Sequence, residues 1–85
     1  MKISIRNHQK LNITFEGGEK FTLTPGLYLW IPDSSPRIVR GRKCYLTYIQ
    51  NIHTDARHKF KESGYFLCSA RVLSRIFSSQ HIEIL

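Results

Sequence analysis

The sequence predicts an α+β domain: an antiparallel β-sheet of five to six strands, built from the N-terminal half, followed by two short helices. In the first half, apolar and polar residues alternate with the period of two that a half-buried strand requires. After Thr54 the apolar residues take the spacing of a helix. No Pro- or Ser-rich linker separates the two parts, so residues 1–85 are expected to form a single small domain around one modest core.

Three short alternating segments predict the first strands: Ile3 to Ile5, Leu11 to Phe15 and Phe21 to Leu23. Gly17-Gly18 marks a hairpin between the second and third of them. A two-residue loop would pair Phe15 with Lys20, whereas an odd loop pairs Phe15 with Phe21 on one buried face. We therefore expect a loop of three or five residues.

Three further strands follow, at Leu27 to Ile31, Arg37 to Arg40 and Cys44 to Ile49. The turn dipeptide Pro25-Gly26 introduces the first of these, which is apolar at every position, as in a strand covered on both faces. Breaks at Pro32 to Pro36 and at Gly41 separate the others.

Two helices and a closing strand are predicted beyond Thr54. Ala56 to Glu62 contains no helix breaker and lies between helix starters and the stop signal Gly64. The second helix is expected to begin at Ser69. Its apolar stripe is Val72, Leu73, Ile76 and Phe77, and its polar face is Arg71, Ser74, Arg75 and Ser78. The alternation from His81 to Leu85 predicts the last strand.

The positive charge is concentrated in the second half. Of the net charge of +7, residues 37–85 supply most, with nine Lys/Arg against three acidic residues. This asymmetry favours an anionic partner, either nucleic acid, DNA more than RNA, or an acidic protein surface. No apolar run reaches the ~18 residues of a membrane span. A cytoplasmic protein without a membrane partner is therefore expected, and the oligomeric state stays open, with a homodimer among the options.

Nine basic side chains are the candidate contacts with nucleic acid or an acidic partner: Arg37, Arg40, Arg42, Lys43, Arg57, Lys59, Lys61, Arg71 and Arg75. The first four come just before Tyr45 and Tyr48, and cations beside aromatic rings suit the phosphates and bases of single strands. Arg71 and Arg75 lie four residues apart on the predicted helix, a spacing that lets both side chains reach the same groove of DNA. Each basic cluster also has an explanation without a binding role. The cations of the hairpin can serve to block edge-to-edge aggregation, and those of the helix can form an ordinary solvated face.

No catalytic site, metal site or cofactor is expected. The histidines, His8, His53, His58 and His81, form neither a metal-ligand spacing nor a recognisable triad with an acid and a nucleophile. Cys44 and Cys68 are fewer than the cysteines of a disulfide scaffold, which favours free thiols, and the sequence leaves open whether the two pair.

Two segments resemble parts of AraC-type transcription regulators. Ser69 to Phe77 is similar to the recognition helix of their first helix-turn-helix unit, which often reads SxxxLSRxF. Upstream, Pro25 to Pro32 followed by Pro36-Arg37 looks like a strand and turn of their cupin-like regulatory half. For so short a chain the resemblance implies a reduced relative that binds DNA or acts on a full-length regulator.

These observations predict a non-enzymatic, nucleic-acid-binding transcription regulator or accessory factor that acts through its basic C-terminal half. One alternative is a protein-interaction module, such as an inhibitor that docks on an acidic host or regulator surface. The other is a small basic ribonuclease toxin, in which His53, His58 or His81 would move protons.

Overall fold

The structure, a computed structural model, describes residues 2–52 and 64–85. The elements in these residues are, in order, β1 (Ile3–Asn7), β2 (Leu11–Thr14), β3 (Lys20–Leu23), β4 (Gly26–Pro32), β5 (Arg37–Val39), β6 (Arg42–Asn51), β7 (Gly64–Ser69), α1 (Ala70–Phe77) and β8 (Ile82–Ile84). All strand pairs are antiparallel. The α+β class is therefore confirmed, with one helix in the described part of the chain.

Six strands form the main sheet. β1 pairs with β4 and β8, and β6 pairs with β4, β5 and β7. Cys44 of β6 lies between β5 and β7, and Thr47 lies between β4 and β7. β4 and β5 therefore follow one another along one side of β6, while β7 lies on its other side. The remaining strands, β2 and β3, form a separate two-stranded sheet.

The core lies on one face of the main sheet. Directly paired residues of antiparallel strands share a face, and the register puts buried Ile5, Tyr28, Trp30, Ile49 and Cys68 on the same one. Helix α1 and the β2–β3 hairpin cover this face. The alternation of apolar and polar residues in the sequence thus reflects side chains that point in turn to the core face and to the outer face of the sheet.

The β2–β3 hairpin is fixed to the main sheet by an aromatic cluster and by main-chain contacts. The ring of Phe15 stacks on Phe66 of β7 with 4.6 Å between centroids, and Phe21 meets Phe66 edge-on at 5.7 Å. The amide N of Glu16 donates to the carbonyl O of Leu67 at 2.9 Å. At the other end, Asn7 Nδ2 donates to Leu23 O at 2.8 Å.

The odd hairpin loop is confirmed. Phe15 N donates to Glu19 O at 2.9 Å, which leaves the three residues 16–18 in the loop, and Gly18 has φ +89°. Phe15 and Phe21 are both buried. The pairing differs from the prediction by two residues, since Ile13 and not Phe15 faces Phe21. A shift of two keeps every side chain on its face, so the alternation of apolar residues cannot detect it.

The second predicted helix is confirmed as α1. The Oγ of its N-cap residue, Ser69, accepts from Val72 N at 3.2 Å. Leu73 and Ile76 are buried, and the polar face is exposed. The last strand is confirmed as β8.

Three points of the predicted fold need correction. The first predicted helix, at 54–62, lies outside the described residues, so the expected pair of helices is not matched. The sheet is not confined to the N-terminal half, because β7 and β8 belong to it. β7 was not predicted, because Gly64 is typical of the end of a helix and Ser69 of the start of one. Finally, the β2–β3 hairpin forms a sheet of its own.

Candidate anion-binding groove

A groove of about 880 Å³ lies between the β2–β3 hairpin and α1. One wall is β2 and the turn after it, residues 11–18, and the other is α1 with its connection to β8. The β5–β6 turn contributes Arg40 and Arg42. Because Arg75 of α1 also lines the groove, three arginines from two distant parts of the sequence meet there. We call it the basic groove.

β2 and α1 run alongside one another in opposite directions. Glu16, just after β2, bonds to Leu67 near the start of α1. His8, just before β2, donates its amide to the carbonyl O of His81 at 2.8 Å, beyond the end of the helix. The basic groove is therefore elongated along the helix.

Arg40 holds an unusual backbone conformation. Its φ is +52° and that of the following residue, Gly41, is +75°, the combination of a type I′ turn between β5 and β6. A left-handed conformation costs a residue with a side chain about 1 kcal/mol or more. Arg40 bears this cost at the position where the turn meets the basic groove.

Glu16 is the acidic residue among those that line the basic groove, and Arg42 lies beside it. Arg42 Nη1 is 3.7 Å from Glu16 Oε2, and the Glu16 side chain is only 8% exposed whereas that of Arg42 is 71% exposed. Among the described residues no carboxylate lies within ion-pairing distance of Arg40 or Arg75. These two exposed guanidinium groups are therefore the free cations of the basic groove.

The outer edge of β2 supplies main-chain groups to the same groove. Phe15 and Glu19 form a hydrogen-bonded pair, so in an antiparallel ladder the N–H and C=O groups of Asn12 and Thr14 point away from β3. The Glu16 amide follows this alternation, because it too points outward and bonds to β7. No described main-chain group bonds the outward groups of Asn12 and Thr14.

The wall formed by α1 combines apolar and basic side chains. Ile76 is buried and Val72 is half-buried, whereas Arg75 is exposed. Consequently the basic groove has an apolar floor below a basic rim.

The nine predicted basic residues divide into three groups. Arg40, Arg42 and Arg75 meet in the basic groove. Arg37 and Arg71 are exposed but do not line it, and Lys43 lies over the Tyr45 ring with 5.8 Å from Nζ to the centroid. Arg57, Lys59 and Lys61 lie outside the described residues.

Sequence reasoning missed Glu16 and the outer edge of β2 as parts of the site, and it considered His81 only as a catalytic candidate. Main-chain groups have no residue-type signature. A strand with a free edge is recognised only once its pairing is known.

In the basic groove, the two described groups able to move protons, Glu16 and His81, do not form an acid–base pair. Glu16 lies near the start of α1 and His81 beyond its end, and an eight-residue helix is about 12 Å long. His8 Nε2 lies 3.3 Å from Glu83 Oε2. Within residues 2–52 and 64–85, no three His, Cys, Asp or Glu side chains are grouped as metal ligands, and no helix is long and apolar enough to cross a membrane.

The two cysteines are free and buried. They occupy neighbouring positions of β6 and β7 but opposite faces of the sheet, because Cys44 pairs with Ser69 and Cys68 with Tyr45. Burial raises the pKa of Cys68 to about 12. Burial and then the nearby Glu16 carboxylate raise the pKa of Cys44, and Arg42 opposes them. Both thiols are therefore protonated at neutral pH and are poor nucleophiles.

Comparison of the chain with family models, with curated proteins and with solved structures gave no significant match. The resemblance of Ser69 to Phe77 to a recognition helix thus stays a prediction. In the structure a strand, β7, leads directly into α1, whereas the recognition helix of a helix-turn-helix unit follows another helix.

Proposed function

We propose that this protein is a non-enzymatic binding protein, a regulator or accessory factor that holds an anionic partner in the basic groove. The observation that carries the proposal is that Arg40 and Arg75 line one groove and that, among the described residues, neither has a carboxylate within ion-pairing distance. Two exposed guanidinium groups over an apolar floor suit a partner that carries negative charges along its length.

Nucleic acid and an acidic polypeptide both have this character. The lining of the basic groove supports nucleic acid, because Arg75, Ser78 and Gln80 are residue types that contact phosphates and base edges. Regulation of transcription would follow from binding DNA there. The elongated shape of the basic groove and its strand edge support a polypeptide.

Two double variants with equal changes in charge test the proposal. Arg40→Ala with Arg75→Ala removes the free cations of the basic groove. Arg37→Ala with Arg71→Ala removes one exposed arginine from β5 and one from α1, outside the groove. Binding of labelled anionic probes is measured by fluorescence anisotropy at low salt, with a single-stranded oligonucleotide, a duplex and a glutamate-rich peptide.

We expect the first pair to weaken binding of at least one probe about tenfold or more, since a hydrogen bond to a charged group contributes about 1.5–3 kcal/mol. The second pair should change it less than about twofold. Equal weakening by both pairs would mean that net charge alone attracts the probe, and the basic groove would not be the site. Absence of binding to all three probes would refute the proposal. RNA cleavage that disappears in His81→Ala would favour a ribonuclease instead.

A further inference from the structure

We propose that the partner of the basic groove is an extended acidic segment of another protein, which adds as a strand to the outer edge of β2. This inference rests on the proposed function, because it concerns the same groove. It goes further in naming the class of partner and the main-chain groups that hold it.

Among the described residues, the outer edge of β2 has main-chain groups without a main-chain hydrogen-bond partner. Asn12 and Thr14 direct two N–H and two C=O groups into the basic groove. An extended polypeptide presents complementary groups at a rise of about 3.3 Å per residue and pairs at about 4.8 Å. A sugar-phosphate backbone offers phosphate oxygens to these amides but has no donors at that spacing for the carbonyl groups. The edge of β2 therefore favours a polypeptide.

The outer edge of β2 lacks the charged residues and proline that usually protect an edge strand. Proteins shield free edges with charged residues, proline, bulges or very short strands. Residues 11–15 contain neither a charge nor a proline. β2 has four residues. β5 and β8 have three each and carry the charged residues Arg37 and Glu83, and Leu67 on the outer edge of β7 is bonded by Glu16. An unprotected strand edge that faces a basic groove is what we expect of an edge that binds a strand of another protein.

Both apolar and positively charged side chains line the basic groove. Successive side chains of an added strand point to opposite sides. One set would contact the apolar floor of Val72 and Ile76, and the other would approach Arg40 and Arg75. The partner is therefore a segment in which acidic and aliphatic residues alternate.

The probe for the test is a ten-residue peptide of alternating glutamate and valine, blocked at both ends. Its control has the same composition with the glutamates grouped in one half. Binding to the full chain is measured by titration calorimetry, and protection of the Asn12 and Thr14 amides by hydrogen exchange in NMR spectra.

The chain offers a matched pair of proline variants. Asn12 and Thr22 are cross-strand partners whose side chains share a hydrogen bond of 3.1 Å from Thr22 Oγ1 to Asn12 Oδ1. Each has an outward-pointing amide that the β2–β3 ladder does not use. Proline at either position removes that amide and the side-chain bond, and only Asn12→Pro affects the edge in the basic groove.

We expect the alternating peptide to bind more tightly than its control and to protect both amides. Asn12→Pro should weaken binding about tenfold, and Thr22→Pro less than about twofold. Equal binding to both proline variants would refute strand addition even if the peptide binds. If only oligonucleotides bind, and Arg40→Ala with Arg75→Ala abolishes that binding, the proposed function stands and this inference is wrong. If no anionic probe binds, both fail.

Discussion

At the scale of single residues, burial controls the chemistry of the two thiols. Cys68 lies on the core face of β7, where the loss of hydration opposes ionisation and raises its pKa to about 12 from an ordinary value of 9.0. Cys44 is buried as well, on the opposite face. Such cysteines act as small apolar side chains and not as reactive groups.

The raised pKa of Cys68 makes the stability of the fold depend on alkaline pH. The folded chain keeps the proton of this thiol between about pH 9 and pH 12, whereas the unfolded chain loses it. The resulting stabilisation is complete below about pH 9 and is lost as the pH rises through the folded pKa. Urea unfolding of the wild type and of Cys68→Ala at a series of alkaline pH values measures the effect. The free energy of unfolding should fall less steeply with pH in the variant, and parallel curves would assign the effect to other groups.

Residue-scale features of the sequence predicted some positions and missed others. Ser69 combines the preferred side chain of an N-cap with a following apolar stripe, and it caps α1 as expected. The basic residues were identified as one set, but the sequence could not show which of them meet. Arg40 and Arg75 line one groove because of the way α1 packs on β6 and β7, and no local pattern encodes that arrangement.

At the scale of elements, the β5–β6 turn places Arg40 at the basic groove at the expense of stability. Type I′ turns favour asparagine and glycine, and Arg40 occupies a position where asparagine is preferred. The left-handed conformation of Arg40, beside the groove proposed to bind the partner, agrees with the general tendency of strained backbone to occur at functional sites.

Arg40→Asn should therefore stabilise the fold while it weakens binding. We expect a gain of about 1 kcal/mol in the free energy of unfolding, because asparagine tolerates the left-handed conformation better. Binding of the anionic probe should decrease. Arg37→Asn is the control, since it removes the same charge from the adjoining strand without relieving the turn. If both variants have the same stability, the conformation of Arg40 carries no measurable strain.

Elements whose apolar residues follow a clear strand or helix period were predictable from the sequence. An element that lies between residues typical of helix ends was not. Alternation fixed which face of β2 and β3 is buried, and the helical stripe fixed the orientation of α1. By contrast, β7 is a continuous apolar run between two helix signals, and its identity as a strand depends on pairing with β6. Long-range pairing of this kind is absent from any local window of the sequence.

At the scale of the whole molecule, the net charge of +7 favours the approach of any polyanion, and the proposed function assigns its binding site to the basic groove. The two effects differ in their dependence on salt. Diffuse attraction involves cations over the entire surface, whereas binding in the basic groove involves the three arginines Arg40, Arg42 and Arg75.

The salt dependence of duplex binding therefore counts the cations in contact with DNA. Neutralisation of about three phosphates gives a slope of roughly −3 for log affinity against log salt. The double change Arg40→Ala with Arg75→Ala should reduce it to roughly −1, while Arg37→Ala with Arg71→Ala leaves it near −3. Anisotropy titrations at several salt concentrations measure the slopes. A steeper slope that both double variants reduce equally would show contact over the whole surface.

The pairing of β1 with β8 has a consequence for how the chain folds. Ile5 pairs with Ile84, so this ladder joins segments that are far apart in the sequence, whereas β2–β3 and β5–β6 join close neighbours. Hairpins between neighbours form on the order of microseconds, and distant pairings must await closure of a long loop. β1 and β8 therefore come together late, and the domain should fold in the millisecond to second range that is typical of sheets rich in distant contacts, roughly a thousandfold or more slower than its hairpins. Until that step, one edge of β1 is unpaired, and the newly made chain is at its most susceptible to pairing with other chains.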